Sequence, residues 1–164
     1  MIKHLFLTCP LDFLEFEIMK NYKDKCFFYS SLGNSISYNY QTLDEIINLI
    51  KNEEISLVSM VMSNENEIIS NSLKKAKILS VGTKKQYQHQ IIGYETIVNE
   101  IWKKCDVKSV ITARYLEDKI IELKDELKKF DFNLEMNPVL YDRKSNTFSN
   151  VTEHYTKIQT FHLN

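Results

Sequence analysis

Glycine, proline, arginine and cysteine are all scarce in this chain, and each scarcity closes off a class of function. Three glycines and two prolines among 164 residues leave little material for sharp turns, so long regular elements are expected. Arg114 and Arg143 are the only arginines. That argues against a site built on bidentate recognition of phosphate or carboxylate. Cys9, Cys26 and Cys105 are odd in number and widely spaced. They do not form a disulfide framework, and a reducing, cytoplasmic setting is the simpler reading. A net charge of −1 gives no electrostatic case for nucleic acid or an anionic membrane. No apolar run approaches the length of a membrane span. The N-terminal stretch is cut by Pro10 and Asp12 and is not a secretory signal.

What remains is ordinary for a globular protein. The chain is 43% hydrophobic and 26% charged, enough to bury a core within one domain over residues 1–164. Residues 153–164 are either a strand extension or a loose tail. The organising stretch is residues 55–69. Its first half, I-S-L-V-S-M-V-M, has the length and β-branched content of a buried strand. Its second half opens a helix: Ser63 or Asn64 can cap it, Glu65 and Glu67 fall in the first turn, and Asn64-x-x-Glu67 has the shape of a capping box. In α/β sheets, ligands bind at the carboxyl ends of such strands. The turn at residues 62–66 is therefore the first place to look, although it holds no His, no Cys and no Gly-rich phosphate loop.

In chain order, residues 3–9 read as a strand and Pro10 suits the first position of a helix over 11–22. Residues 25–30 are a second strand, followed by a polar loop around Gly33-Asn34, where positive φ is cheap. Thr42-Leu43-Asp44-Glu45 reads as a capping box for a helix carrying Leu43, Ile46, Ile47 and Ile50 on one face. The helix after the third strand is expected to end near residue 76. A brief strand at 78–81, a polar loop at 82–90 and a helix over 91–105 follow, and Asp106 can cap the next helix. There Ala113, Leu116, Ile120, Leu123, Leu127 and Phe130 form a stripe for a sheet or a partner helix. Asp125 and Lys129 are spaced for an ion pair on its wet side. Residues 132–142 alternate as a strand, with Pro138 suggesting an edge or a bulge. Lys144-Ser145-Asn146 turns the chain into a last strand at 147–152. This order predicts an α/β fold: a mixed sheet of about five strands, with a parallel core and an antiparallel terminal hairpin, flanked by helices.

At this point the chain resembles the β-class carbonic anhydrases, from about residue 2 to 151. Those enzymes carry C-x-D-x-R after the first strand, R-N-x-G-N after the second and G-H-x-x-C after the third, with a late helix and a terminal hairpin. Here L-F-L-T-C-P-L-D-F, S-S-L-G-N, V-M-S-N-E-N and M-N-P-V-L-Y-D-R-K-S-N-T-F stand at the corresponding places. The resemblance implies the fold and a homodimer. In the family, zinc is held by the Cys of the first motif and the His and Cys of the third. Of these only Cys9 is kept; the other two positions fall on Ser63 and Asn66. The Asp–Arg pair of the first motif falls on Leu11 and Phe13, with Asp12 one residue off, and the Arg of the second motif is Ser30. One thiolate cannot close a tetrahedral zinc site. Without zinc nothing lowers the pKa of water from about 15.7 toward about 7. The resemblance therefore implies a protein without zinc or another cofactor, acting by binding or as a structural homodimer.

The site implied comprises Cys9, Asp12, Gly33, Asn34, Ser63, Asn64, Glu65 and Asn66, a pocket for a small polar ligand or a protein partner. Each residue also has a plainer reading. Cys9 suits a small buried hydrophobe, Ser63, Asn64 and Asn66 suit helix caps, and Glu65 and Glu67 suit a helix dipole. Asp12 and Glu65 approaching Cys9 would make a different metal site. The rival is an active carbonic anhydrase with non-standard ligands, such as Cys9 with a histidine from residues 82–90. His4, His89, His154 and His162 show no ligand spacing, and surface or structural roles are expected of them. Cys26 and Cys105 read as partnerless thiols. Tyr38, Tyr40, Tyr87 and Tyr94 crowd the loops, where aromatic residues suit binding.

Overall fold

The computed structural model describes residues 2–79, 107–132 and 134–151. The order is β1 (Lys3–Thr8), a 3-10 turn (Pro10–Asp12), α1 (Glu15–Asn21), β2 (Lys25–Ser30), a second 3-10 turn (Leu32–Asn34) and α2 (Tyr40–Asn52). Then come β3 (Leu57–Ser63), α3 (Glu67–Leu79), α4 (Val107–Lys128), β4 (Glu135–Asp142) and β5 (Thr147–Asn150). The strands form one sheet in the order β2-β1-β3-β4-β5. β1 pairs parallel with β2 and β3, β3 pairs parallel with β4, and only β4–β5 is antiparallel. The mixed sheet expected from the sequence is the sheet observed.

Alternation along the strands assigns the two faces. Leu5, Leu7 and Cys9 of the β1 segment and Val58, Met60 and Met62 of β3 meet Leu43, Ile46, Ile47 and Ile50 of α2, Ile69 and Leu73 of α3, and the α4 stripe. Phe6, Val61, Val139 and Tyr141 meet Leu14, just before α1, and Ile18 of α1 on the other face. The stripe of α4 (Ala113, Leu116, Ile120, Leu123, Leu127) is buried against β4 and β3, so it serves this chain's own core and not a partner helix. Phe130 lies beyond the helix end and is partly exposed.

Local details correct the sequence reading in places. The helix expected over 11–22 is broken, because Phe13 takes a left-handed backbone (φ 51) that ends the 3-10 turn before α1 begins. α2 is capped by Asn39, whose Oδ1 accepts from Thr42 N–H at 2.8 Å. Thr42 is therefore inside the helix and starts no capping box. On α4, Lys128 pairs with Asp125 and Lys129 with Glu126, in place of the expected Asp125–Lys129 pair. Residues 78 and 79 belong to α3 and not to a strand. Pro138 sits where β4 faces β5 only from Val139 onward, so it costs the hairpin no ladder bond. Residues 80–106, including the expected loop and helix and the cap Asp106, and residues 152–164 lie outside the described residues.

His4, given no role by spacing, is buried in β1. Its ring stacks on Phe6 with centroids 3.9 Å apart. Nε2 lies 2.9 Å from Ser59 Oγ, and Nδ1 lies 3.5 Å from Asp24 Oδ2, long for a hydrogen bond. Burial lowers its pKa, against the pull of Asp24, which suits a neutral ring accepting from the Ser59 hydroxyl. Such a group stabilises the fold above the unfolded value and loses that contribution as pH falls through the folded one.

The cap assignment is directly testable. Asn39→Ala should cost about 1 kcal/mol in denaturant unfolding, whereas Thr42→Ala should cost a few tenths. The reverse order would restore the Thr42 capping box.

Candidate functional site

The carboxyl ends of β1 and β3 lie side by side in the sheet, Thr8 opposite Val61. Whatever follows each strand must share that space. After β1, Pro10 starts a 3-10 turn whose last residue, Asp12, is carried under the end of β3 and is 1% exposed. Asp12 Oδ2 accepts from the backbone N–H of Ser63 at 3.0 Å. Its backbone carbonyl accepts from Arg143 Nη2, which reaches in from the β4–β5 turn. Burial raises the Asp12 pKa. The Ser63 N–H, the Asn66 amide and the Arg143 charge oppose this, and Glu15 adds to it.

Cys9 is fully buried, and its Sγ accepts from Gly33 N–H at 3.2 Å. Gly33 (φ 61) and Asn34 (φ 52) both take left-handed backbones, as the turn dipeptide promised. A Cβ on Gly33 would stand 3.4 Å from Ile68 Cδ1 and 3.6 Å from the Tyr115 hydroxyl. That hydroxyl donates to Gly33 O at 2.6 Å, and burial first, with Glu122 and Cys9, pushes its pKa up to about 12. Asn34 is buried and donates through Nδ2 to Val61 O at 2.9 Å.

The turn after β3 divides its labour differently from the sequence expectation. Asn66, not Asn64, tops α3: its Oδ1 accepts from Ile68 N–H at 3.0 Å and Ile69 N–H at 3.3 Å. Ser63 Oγ accepts from Glu65 N–H at 3.1 Å. Asn64 ties the β3 end to other elements, donating to Ser109 Oγ and Asp142 Oδ1 and accepting from Arg143 N–H. Glu65 is exposed, and it does not join Cys9 and Asp12. Among the described residues, no three His, Cys, Asp or Glu side chains could hold a metal ion together. The Cys9–Asp12–Glu65 arrangement is thereby corrected. Cys9, Asp12, Gly33, Asn34, Ser63, Asn64 and Asn66 do converge on these strand ends.

The same architecture occurs in solved proteins. The β-carbonic anhydrase CafD of Aspergillus fumigatus superposes with a TM-score of 0.64 at 13% identity, over 92% of this chain and 89% of that one. A β-carbonic anhydrase described as tetrameric, from Sordaria macrospora, gives 0.58 at 13%, over 91% and 80%. The Coccomyxa β-carbonic anhydrase in complex with acetazolamide gives 0.55 at 9%, over 91% and 71%. The fold is that of the β-carbonic anhydrases. No family sequence model matches the chain, and no curated protein sequence matches it.

Placed in the β-carbonic anhydrase fold, the donor set does not fit zinc. The three ligand positions implied by the resemblance are Cys9, Ser63 and Asn66. Ser63 Oγ and Asn66 Oδ1 are spent on backbone N–H groups. The atom Asn66 has left, Nδ2, is a donor and has no hydrogen-bond partner; although near enough to favour ionised Asp12, it forms no bond of good geometry. Zinc prefers thiolate, imidazole or carboxylate, and here a single sulfur would face an NH₂ group. The dyad positions also differ. Leu11 and Phe13 point to solvent, Phe13 at 78% exposure, while Asp12 turns inward and approaches an arginine from the hairpin. Ser30 bonds Thr8 Oγ1 at 2.9 Å. Residues 82–90, with His89, lie outside the described residues. Arg143 and Tyr115 join this neighbourhood unannounced, because no local spacing links them to residues 9–66.

A raised Asp12 pKa means that protonation favours the folded state. That contribution is complete below the unfolded value of 3.8 and is lost as pH rises through the folded value. Asp12→Asn keeps an acceptor for Ser63 N–H and removes the charge. It should be at least as stable as the parent near neutral pH, with a flatter stability profile above the unfolded value. A loss of more than about 1 kcal/mol on denaturant unfolding would show that the charge itself is needed there.

Proposed function

We propose that this chain is a metal-free binding protein on a β-carbonic anhydrase fold, acting as a homodimer in the cytoplasm. Asn66 carries the reading: with its oxygen committed to the start of α3, it offers only a donor where a third metal ligand would be needed. Carbon dioxide hydration on this fold requires a metal-activated water, and these side chains supply no step that replaces it. What they supply is a polar, enclosed set of groups at the strand ends, where α/β sheets bind ligands. Cys9 and Cys26 are unpaired thiols, which fits a reducing compartment.

The alternative is an active carbonic anhydrase with a non-standard metal set anchored on Cys9, whose sulfur keeps its place at the end of β1. Metal analysis of protein purified without chelator separates the two. Well under one zinc per chain, with no chelator-sensitive hydration of carbon dioxide, is expected. About one zinc per chain, lost on Cys9→Ala, would establish the alternative.

Dimerisation draws support from the surface. Leu11, Phe13, Phe16, Met19 and Leu32 are all exposed, and they come from α1 and from the two 3-10 turns beside the site. β2, with half-buried Phe27, Phe28 and Tyr29, is a sheet edge. Phe13 carries a backbone cost at positive φ that the surrounding structure must offset, and its exposed ring adds apolar surface that a partner would cover. Phe13→Asn suits the left-handed backbone and removes the ring. Light scattering should show a dimer for the parent and a shift toward monomer for this variant, with no loss of thermal stability. A parent that is monomeric at high concentration would end the dimer reading.

A further inference from the structure

We propose that His4, Ser59 and Asp24 form an acid-sensitive latch that holds the end of α1 and the turn after it, residues 22–24, on the sheet. This goes beyond the metal-free reading and does not rest on it. His4 is 1% exposed and shares a face of β1 with Phe6. Its ring meets Tyr22 edge-on, with centroids 5.6 Å apart. Tyr22 closes α1 by donating its N–H to Ile18 O, and its ring also meets Phe6 and Phe148. Asp24 Oδ2 lies 3.5 Å from His4 Nδ1. That contact is half made: Nδ1 is buried and has no hydrogen bond of good geometry.

The two ring nitrogens therefore have unequal partners. In the neutral ring, the tautomer that suits both puts the proton on Nδ1, toward Asp24. Nε2 is left to accept from the Ser59 hydroxyl at 2.9 Å. A second proton can enter only at Nε2. It turns the Ser59 contact round, so that the hydroxyl loses His4 as an acceptor. It also sets a positive charge against two aromatic rings, with one half-made contact to a carboxylate. Burial opposes that charge more than Asp24 favours it. Tyr22 and Cys26 face the ring as well, Cys26 from the neighbouring position on β2. Burial first, then Asp24, raises both of their pKa values, so both stay neutral in acid. Lys3 and Lys25 turn to the opposite face, where they pair with Glu54 and Glu53. Asn137, opposite Ser59 on β4, carries no charge. Among the described residues, Asp24 is the one charge facing the ring.

Opening relieves the charge. Among the described residues, α1 is the helix on this face. Leu14, Ile18 and Tyr22 hold it in a cluster much smaller than the core on the other side of the sheet. A short helix with few apolar anchors is the kind of element that opens on its own. Lifting residues 14–24 wets the His4 ring and leaves the larger core packed. Once wet, His4 titrates near its ordinary value of 6.5, and the closed value lies below it. The stability that the neutral ring contributes is complete above 6.5 and is lost as pH falls through the closed value. Between the two values the open form holds one more proton than the closed form. The opening equilibrium then grows by up to about tenfold per pH unit, and it levels off below the closed value.

The test is an NMR titration of the histidine ring signals on the full chain, with amide exchange read as protection factors over the same pH range. His4→Gln identifies the His4 signal among the four histidines and removes its titration. His4 should take its second proton below 6.5. Protection over residues 16–24 should fall by up to about tenfold per pH unit below that value, while β3 and α4 keep theirs. Asp24→Asn should move both the His4 titration and the opening to lower pH, a shift that a merely structural Asp24 would not produce. His4 protonating at or above 6.5 would make the contact a clamp that tightens in acid, and would overturn the proposal. Protection lost only together with the whole chain would overturn it, as would acid opening that persists in His4→Gln or an unmoved titration in Asp24→Asn. If His4→Gln does not fold, the parent and Asp24→Asn still decide, since the His4 signal is the one that Asp24→Asn must shift.

Discussion

A carboxylate locked under the end of the central strand is the constraint on which the site depends. Asp12 leaves β1 by a single 3-10 turn and spends one oxygen on the Ser63 N–H. β3 runs two residues past its last pairing with β1, at Thr8–Val61, so on that side the Ser63 N–H must be satisfied elsewhere. Asp12 satisfies it from the neighbouring strand's own exit turn. Arg143 then fastens the Asp12 carbonyl to the terminal hairpin, and Asn64 fastens the β3 end to the same hairpin and to α4. A buried carboxylate is unfavourable by itself. It is tolerated here because each nearby dipole and charge except Glu15 favours the ionised form.

Neighbouring contacts join neutral groups. The Gly33 peptide is held at both ends, its N–H by the Cys9 sulfur and its carbonyl by Tyr115. This sets the Gly33–Asn34 turn against β3, with the Asn34 amide on the Val61 carbonyl. Cys9 is thereby an acceptor inside a hydrogen-bonded turn and a member of the main core. Its retention at the end of β1 needs no metal as its reason.

Much of the fold was legible because periodicity reports burial directly. The α4 stripe recurs every three or four residues as its buried face demands, and the short Lys144-Ser145-Asn146 turn leaves the last two strands no choice but to run antiparallel. Boundaries were legible only where a local signal stood alone. Asn39 and Thr42 both look like caps, and which one starts α2 is decided by where the chain arrives from the preceding loop. The same holds for Asn64 and Asn66. Phe13 hid the break before α1, since nothing in an aromatic side chain announces a left-handed backbone. The strand-end rule pointed to Ser63 and Asn66 and the resemblance to Cys9, but neither said what their atoms would bond. Arg143 and Tyr115 were invisible because they arrive through tertiary packing, which spacing along the chain does not encode. Glu65 was misplaced for the converse reason, since a first-turn position does not say which side of the helix meets the sheet.

A metal cross-link at such strand ends would do two separable jobs: it would tie the segments together, and it would supply a concentrated charge for chemistry. In this chain protein groups already carry the first job. Asp12 ties the β1 turn to β3, Asn64 ties β3 to the hairpin and α4, and Tyr115 ties α4 to the turn after β2. Each of these bonds is worth about 0.5–1.5 kcal/mol net, more where Asp12 is the acceptor, and each is independent of any ion. The second job has no such substitute, because amides and hydroxyls carry only partial charges and cannot ionise a water molecule near neutral pH. In the metal-free reading proposed above, strand ends secured in this way stand without an ion, and the groups there would be limited to recognition.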